Sequence, residues 1–213
     1  MGQIVIVDYG MGNIRSMANA IEAVSGKSLV KVSQSARDIE AADRVVFPGQ
    51  GAMVDCLREL DNRCLRETII EATKTKPFLG VCIGLQMLFD FSQENGGNCL
   101  GVLQGNVVRF TDGLVDEGKR LKVPHMGWNN VEQVAWHPLW AGIPDHSRFY
   151  FVHSYYVEAA NNDILFGVSR YPEAFHCAVG FNNVFAVQFH PEKSQSVGLR
   201  LLSNFVNWDG CTS

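Results

Sequence analysis

The chain lacks three features that would each have pointed to a class of protein: a long apolar run, a block of like charges and a paired-cysteine motif. The longest nearly apolar run in its 213 residues is 78–89, which Gln86 interrupts. A membrane-spanning helix needs about 20 apolar residues, so no membrane association is expected. The 18 basic and 22 acidic residues are scattered along the chain. We therefore expect no nucleic-acid partner either.

Metal and cofactor motifs are also missing from the sequence. None of the six cysteines forms a C-x-x-C pair, and no set of His, Cys, Asp and Glu residues has the spacing of metal ligands. The glycines at 10 and 12 do not extend into a dinucleotide fingerprint, because position 15 is Arg15. We expect no metal and no cofactor. The first residues resemble no secretory signal, which predicts a cytoplasmic protein with free thiols.

Hydrophobic periodicity divides the chain into two halves. In the first half, strands at 3–8, 29–32, 44–47 and 78–81 alternate with helices at 14–26, 53–73 (perhaps broken near Asn62) and 84–91. This alternation predicts right-handed βαβ units and a parallel sheet. In the second half, the pattern predicts strands at 104–110, 119–124, 129–134, 148–158, 164–169, 176–181 and 184–189.

A tight hairpin turn is predicted at 181–184, and a last helix carries Val197, Leu201, Leu202, Phe205 and Trp208 on one face. We interpret residues 1–213 as one α/β domain, with a mostly parallel central sheet flanked by helices and an antiparallel extension.

Cys82 occupies the centre of a G-x-C-x-G motif between a predicted strand and a predicted helix. This motif is the thiol form of a nucleophile elbow, a sharp turn that projects a reactive side chain from a sheet. Glycines at 80 and 84 suit it, because larger side chains would collide with the neighbouring backbone. A helix amino terminus also favours a thiolate. A buried cysteine between two packing glycines is the alternative; the flanking strand and helix favour the nucleophile.

The segment His190-Pro191-Glu192 ends a predicted strand near the end of the chain. Residues two apart in extended backbone project to the same side, so Glu192 can orient the His190 ring. An imidazole held this way acts as the base for a thiol nucleophile. Taken alone the motif also fits an ordinary surface loop. Combined with the cysteine elbow, it indicates catalysis.

These motifs resemble the triad-type (class I) glutamine amidotransferases, on residues 80–86, 48–51 and 190–192. Within that family, the chain is similar to the glutaminase subunits of imidazole glycerol phosphate synthase. The further matches are Asp-Tyr-Gly-Met-Gly-Asn at 8–13, Lys-Val-Pro-His-Met-Gly-Trp-Asn at 122–129, Phe-Val-His-Ser-Tyr-Tyr at 151–156 and His-Pro-Glu-Lys-Ser at 190–194.

The resemblance implies hydrolysis of L-glutamine through a cysteinyl thioester, with Cys82 as nucleophile, His190 as proton carrier and Glu192 as its orienting acid. It also implies an oxyanion and substrate site whose members are Gly49, Gln50, Gly51, Ile83, Gln86, Ser154 and Tyr155. The ammonia would pass to a barrel-type cyclase subunit in a heterodimer, to make imidazole glycerol phosphate and an aminoimidazole carboxamide ribonucleotide in histidine biosynthesis. Asn13, Trp128 and Lys193 match positions that the family places near this partner.

Three other functions stay open at the level of sequence. A related glutaminase could supply ammonia to a sugar-modifying synthetase of surface polysaccharide biosynthesis. A cysteine peptidase or esterase could use the same elbow, although nothing in the sequence marks a wide cleft. An interaction module with a vestigial triad is disfavoured, since Cys82, His190 and Glu192 are all present.

Overall fold

An eleven-stranded sheet organises the parts of the chain described in the computed structural model, which are residues 2–94, 96–116 and 118–212. Strands β1 to β15 are Gln3–Val7, Leu29–Ser33, Arg44–Gly49, Phe78–Cys82, Phe91–Ser92, Gly97–Asn98, Gly105–Arg109, Val115–Asp116, Lys119–Arg120, His125–Val131, Ser147–His153, Tyr155–Ala159, Leu165–Arg170, Ala174–Phe181 and Val184–Val187. Helices α1 to α6 are Ile14–Val24, Ala36–Ala41, Met53–Asn62, Arg66–Thr75, Ile83–Gln86 and Gln195–Asn207. Short 3-10 helices cover Pro138–Trp140, Asn162–Ile164 and Pro191–Lys193.

The sheet combines a parallel part with an antiparallel part, as predicted. Its order is β2-β1-β3-β4-β15-β14-β12-β7-β5-β6, and β13 pairs with β14. The neighbours from β2 to β15 run parallel, whereas β15, β14, β12 and β7 pair antiparallel in turn. Strands β3, β4 and β15 are buried along nearly their whole length, as strands covered on both faces must be.

Strand β15 is the feature of the topology that the sequence did not predict. It belongs to the second half of the chain, yet it pairs parallel with β4, with Val187 opposite Val81. A two-residue turn at 182–183 connects it to β14, which confirms the predicted hairpin. The carboxyl ends of β1, β3, β4 and β15 therefore meet at one edge of the sheet, where ligands of parallel sheets bind.

Several predicted boundaries are wrong for identifiable reasons. The helix predicted at 84–91 ends at Gln86, because the carbonyls of Met87, Leu88 and Phe89 accept hydrogen bonds from amides at 100–103. The strand predicted at 148–158 is two strands with Ser154 between them. The strand predicted at 119–124 stops at Arg120, and the one predicted at 129–134 begins at His125.

Two predictions about helices are confirmed in part. The helix predicted at 53–73 is two helices, α3 and α4, and the break falls directly after Asn62. The last helix ends at Asn207, so Trp208 caps it rather than lying on its face, although the indole is buried. No helix among the described residues is long and apolar enough to span a bilayer.

Candidate active site

Cys82 lies at the junction of β4 and α5 in a strained backbone conformation. Its φ is 57°, in the left-handed region that side chains other than glycine rarely adopt. Such a residue costs roughly 1–3 kcal/mol and persists only where its surroundings enforce it. Close packing around Gly84 holds Cys82 in this conformation, because a Cβ at position 84 would lie only 1.9 Å from the Phe47 carbonyl oxygen. The close approach of α5 to β3 thus forms the predicted sharp turn.

His190 and Glu192 form a buried pair after the end of β15. The backbone amide of His190 donates to the Tyr150 carbonyl at 2.9 Å, which fixes the chain there. The 3-10 turn Pro191–Lys193 then brings Glu192 Oε1 to 2.8 Å from His190 Nδ1. The two side chains are only 4% and 2% exposed. Glu192 therefore fixes the orientation of the ring and leaves Nε2 for other partners.

The electrostatics of His190 favour the protonated ring. Burial lowers the pKa of His190, but the Cys82 sulfur and the Glu192 carboxylate outweigh burial and raise the pKa to about 10. Nε2 is buried and has no oxygen or nitrogen partner among the described residues. The Cys82 sulfur contributes to the raised pKa through both charge and hydrogen bonding, and Glu192 occupies Nδ1, so Nε2 is the nitrogen available for proton transfer with the sulfur.

A cavity of about 480 Å³ joins Cys82 to His190 at the carboxyl edge of the sheet. This volume is in the range of small-molecule sites. Its lining residues are Gln50, Gly51, Cys82, Ile83, Gln86, Glu94, Pro124, Met126, Tyr150, Val152, His153, Ser154, Tyr155, His190 and Lys193. The candidate nucleophile, the candidate base and most of the candidate substrate residues therefore line the same cavity.

The loop after β3 forms one wall of this cavity. The Tyr9 hydroxyl donates to the Pro48 carbonyl at 3.0 Å, and the Cys56 thiol donates to the Gln50 carbonyl at 3.6 Å. Gly51 has a φ of 105°, which favours glycine. Gly49 lies behind the wall rather than in it, with Tyr9 and Ile83 packed against the place of its missing side chain.

Gln86 is fixed by its amide and presents an unused oxygen. Its Nε2 donates to the Tyr155 carbonyl at 2.9 Å and to Gln188 Oε1 at 3.0 Å. Its Oε1 is buried and has no hydrogen-bond partner among the described residues. Since an unpaired buried carbonyl is costly, this oxygen is available to a polar ligand group.

The three residues of the expected partner surface differ in their surroundings. Lys193 lines the cavity, and its Nζ lies 5.8 Å from the centre of the Tyr150 ring. The Trp128 ring meets the same tyrosine edge-on at 6.1 Å and is 38% exposed, outside the cavity. Asn13 immediately precedes α1, and its side chain makes no capping hydrogen bond. Tyr150 thus contacts both Lys193 and Trp128.

Three residues of this site lie outside every motif that the sequence analysis singled out: Glu94, Tyr150 and Gln188. Glu94 accepts from the Met53 amide at 2.8 Å, and burial raises the pKa of its carboxyl. It lies in a polar turn, where no sequence signal distinguishes it. Gln188 had a signal, because it is the one polar residue in the apolar segment 184–189. Tyr150 faces the cavity only because β11 runs beside it.

Metal binding has no support in the described residues, where no group of three or more His, Cys, Asp and Glu side chains is placed to hold an ion. The six cysteines are free.

The chain matches a known family model over nearly its whole length. The model described as glutamine amidotransferase class-I matches residues 5–208. Imidazole glycerol phosphate synthase subunit HisH of Thiobacillus denitrificans is 58% identical over 208 residues, covering 97% of this chain and 91% of that protein. The protein of the same name from Nitrosospira multiformis is 57% identical over 210 residues, covering 98% and 99%.

Solved structures share the fold at low sequence identity. A putative GMP synthase component from Thermoplasma acidophilum superimposes with a TM-score of 0.70 at 19% identity, covering 97% of this chain and 93% of that one. The structure of PurLQS from Thermotoga maritima gives a TM-score of 0.71 at 16% identity, with 97% and 99% covered.

Proposed function

Because the chain belongs to the class-I glutamine amidotransferase family, we propose that Cys82, His190 and Glu192 are the catalytic triad of its glutamine hydrolysis. The observation that carries this proposal is the meeting of a strained cysteine and a buried His–Glu pair at one cavity. The chain is a glutaminase subunit of imidazole glycerol phosphate synthase, in histidine biosynthesis; its relatives at 58% and 57% identity are named as subunits of that synthase. Supply of ammonia to a sugar-modifying synthetase is not favoured.

The proposed reaction proceeds through a thioester. The Cys82 sulfur attacks the side-chain amide carbon of glutamine, and His190 gives a proton to the departing nitrogen, which leaves as ammonia. The remaining γ-glutamyl thioester is then attacked by water, from which His190 removes a proton. Cleavage of the carbon–sulfur bond releases glutamate and leaves the negative charge on the Cys82 sulfur and the proton on His190, which restores the starting pair. The balance is glutamine plus water to glutamate plus ammonia.

The cavity walls supply the other roles. The backbone amides of Ile83, Gln50 and Gly51 would hold the oxyanion, since Ile83 opens α5, where amides lack intrahelical partners. Gly49 would support this loop from behind. The free Oε1 of Gln86 and the backbone of Ser154 and Tyr155 would hold the amino-acid end of the substrate. We expect the loop at 49–51 to adjust when the site is completed, because Gly51 permits backbone rotation.

The partner is a second subunit of the synthase, and we propose that it is a barrel-type cyclase bound as a heterodimer. Asn13, Trp128 and Lys193 would lie at this interface. Ammonia that passed directly through a dry conduit would stay uncharged. The products in the cyclase would be imidazole glycerol phosphate and an aminoimidazole carboxamide ribonucleotide. We further propose that the chain is one domain and works in the cytoplasm.

A reconstitution with labelled substrate tests this function. The purified chain and a candidate cyclase are given glutamine labelled with ¹⁵N in its side-chain amide, and imidazole glycerol phosphate is analysed for the label. We expect label in the product, and little glutamate formation until the cyclase and its ligand are added. Equal glutaminase rates with and without the cyclase would contradict the expected activation. Failure to complement a histidine auxotroph beside a working cyclase would contradict the pathway.

A further inference from the structure

Two buried histidines face each other across a pair of strands beside the cavity. His125 on β10 pairs with His153 at the end of β11, and His125 Nδ1 lies 3.0 Å from His153 Nε2. The side chains belong to residues only 4% and 6% exposed. Burial lowers the pKa of His125 to about 4, and burial together with His125 lowers that of His153 to about 3. Both rings are therefore neutral at neutral pH.

The hydrogen bonds around this pair allow one set of tautomers. The Tyr155 carbonyl can only accept, so His153 Nδ1, at 2.8 Å, must carry a proton. The Nε2 of a neutral His153 then accepts, and His125 Nδ1 must donate to it. His125 Nε2 accepts in turn from the Asn129 amide at 3.3 Å. That amide also donates to the Arg170 carbonyl, while the Asn129 oxygen accepts from the Asn130 amide, so its orientation is consistent.

The same carbonyl connects the histidines to the nucleophile. Tyr155 accepts both from His153 Nδ1 and from Gln86 Nε2, which uses its second proton on Gln188 Oε1. Gln188 Nε2 donates to the Cys82 sulfur at 3.7 Å. A continuous series of hydrogen bonds thus joins His125 to Cys82, and the Tyr155 carbonyl accepts from both sides. The side chains in this series are buried except that of Tyr155, which is partly buried.

We propose that His125 and His153 are positioning residues of the glutaminase site, because their two rings fix the Tyr155 carbonyl. That carbonyl holds the Gln86 amide, which in turn holds Gln188. Gln188 is the donor to the Cys82 sulfur. The inference rests on the proposed function, because it assigns Gln86 to the substrate glutamine. Stacking holds the His125 ring in place, since it packs against Phe151 and Tyr171 at centroid distances of 5.0 and 4.1 Å.

The chain offers a matched control in His137. This histidine is also fully buried, and burial also lowers its pKa to about 4. Its Nδ1 accepts from the Leu139 amide, and its aromatic neighbours Phe166, Phe185 and Trp208 lie away from the cavity. A purely structural histidine pair would behave as His137 does when it is replaced.

The test compares His125→Leu, His125→Gln and His137→Leu in the complete complex with the cyclase. We expect His125→Leu to raise the KM for glutamine about tenfold, which is what one lost hydrogen bond permits. His125→Gln keeps a donor toward His153 Nε2 and should bring KM back to within about threefold of the wild type. His137→Leu should lower the unfolding midpoint while it leaves KM unchanged.

The ¹⁵N shifts of the wild-type histidines supply a second readout that does not depend on activity. We expect both His125 and His153 to carry their proton on Nδ1. A wild-type KM in His125→Leu, or a proton on Nε2 of His153, would overturn the proposed positioning role. If instead the wild-type complex hydrolyses no glutamine, the proposed function fails, and the tautomers still decide whether the series of hydrogen bonds exists.

Discussion

The side-chain amide of Gln188 donates to the sulfur of Cys82 at 3.7 Å, across a separation of 106 residues. The contact follows from the parallel pairing of β15 with β4, which puts the residue after Val187 level with the elbow. Gln188 is completely buried, so its amide is fixed by protein contacts rather than by solvent. The strand that leads to His190 therefore also supplies a donor to the candidate nucleophile.

Replacement of this amide should impair both chemistry and binding. Gln188→Leu removes the donor to Cys82 and the acceptor for Gln86, so we expect kcat to fall and KM for glutamine to rise, each about tenfold. Steady-state glutaminase kinetics of the complex measure both. Gln133→Leu is a control, since Gln133 bonds to the 143–145 turn and is absent from the cavity lining. Unaltered kinetics in Gln188→Leu would show that the amide is only a packing group.

Removal of the sulfur should abolish turnover and leave the fold intact. In Cys82→Ala the nucleophile is gone, and we expect a loss of several orders of magnitude in glutamate formation. The strained φ of 57° suits alanine no better than cysteine, so the unfolding temperature should change little. Cys177→Ala, at a fully buried thiol outside the cavity, should keep its activity. Glutamate formation by Cys82→Ala at the wild-type rate would refute the assigned nucleophile.

Loss of the Glu192 charge should act through the His190 ring. Glu192→Gln keeps the shape but removes the carboxylate that raises the pKa of His190. We expect a fall in kcat of roughly 10²–10⁴-fold, the scale seen when the third member of a triad loses its charge. NMR titration should also show a lower pKa for His190. Glu173→Gln, at an exposed carboxylate, is the control and should change neither quantity.

Stability should fall in acid because three buried histidines resist protonation. Burial lowers the pKa values of His125 and His137 to about 4 and that of His153 to about 3. Below about pH 6.5 the unfolded chain binds protons that the folded chain does not, so the free energy of unfolding falls as the pH decreases toward 4. Each histidine contributes up to about 1.4 kcal/mol per pH unit.

His190 affects stability in the opposite direction, because its pKa is raised. Its contribution to the free energy of unfolding is lost as the pH rises from about 6.5 toward 10. Urea unfolding at pH 7.5, 6 and 5 measures the loss of stability in acid. His137→Gln removes one of the three histidines, so the free energy of unfolding should depend less steeply on pH, by up to about 1.4 kcal/mol per pH unit. Equal stability at pH 7.5 and 5 would contradict the neutral state of these rings.

A methyl group at Gly84 should disrupt the elbow. In Gly84→Ala the new carbon would lie 1.9 Å from the Phe47 carbonyl oxygen, which is backbone and cannot swing away. We expect a loss of about 2–4 kcal/mol in the free energy of unfolding, together with loss of glutaminase activity. Gly2→Ala is the control, since its new carbon would meet only the flexible end of Arg44 and the side chain of Asp43. A fully stable, active Gly84→Ala would contradict the tight packing of α5 on β3.

The sequence predicted those parts of the molecule that depend on local signals. The strand before Cys82, the start of the helix after it, the glycines around it and the His-Pro-Glu segment were each predicted from local composition. The helix at 84–91 was overpredicted because its apolar residues fit a helix, whereas tertiary hydrogen bonds from 100–103 end it. Propensity cannot anticipate such a competition.

The rest of the site could not be predicted, because it depends on pairing between strands that are distant in sequence. The parallel contact of β15 with β4 and the antiparallel register of β10 with β11 bring together residues that are distant in sequence. His125 and His153 lie in two separate matching segments, at 122–129 and 151–156, and only the strand register puts them face to face. Glu94 lines the cavity from a turn, and its place there also depends on the tertiary fold.

The central place of β15 has a consequence during synthesis of the protein. Until residues 184–187 leave the ribosome, β4 can pair on one side only, with β3, and its other side remains an open template for any extended peptide. A chain terminated near residue 180 would thus be prone to aggregate besides being inactive. Residues 184–187 therefore protect an edge of β4 that was made about a hundred residues earlier in the chain.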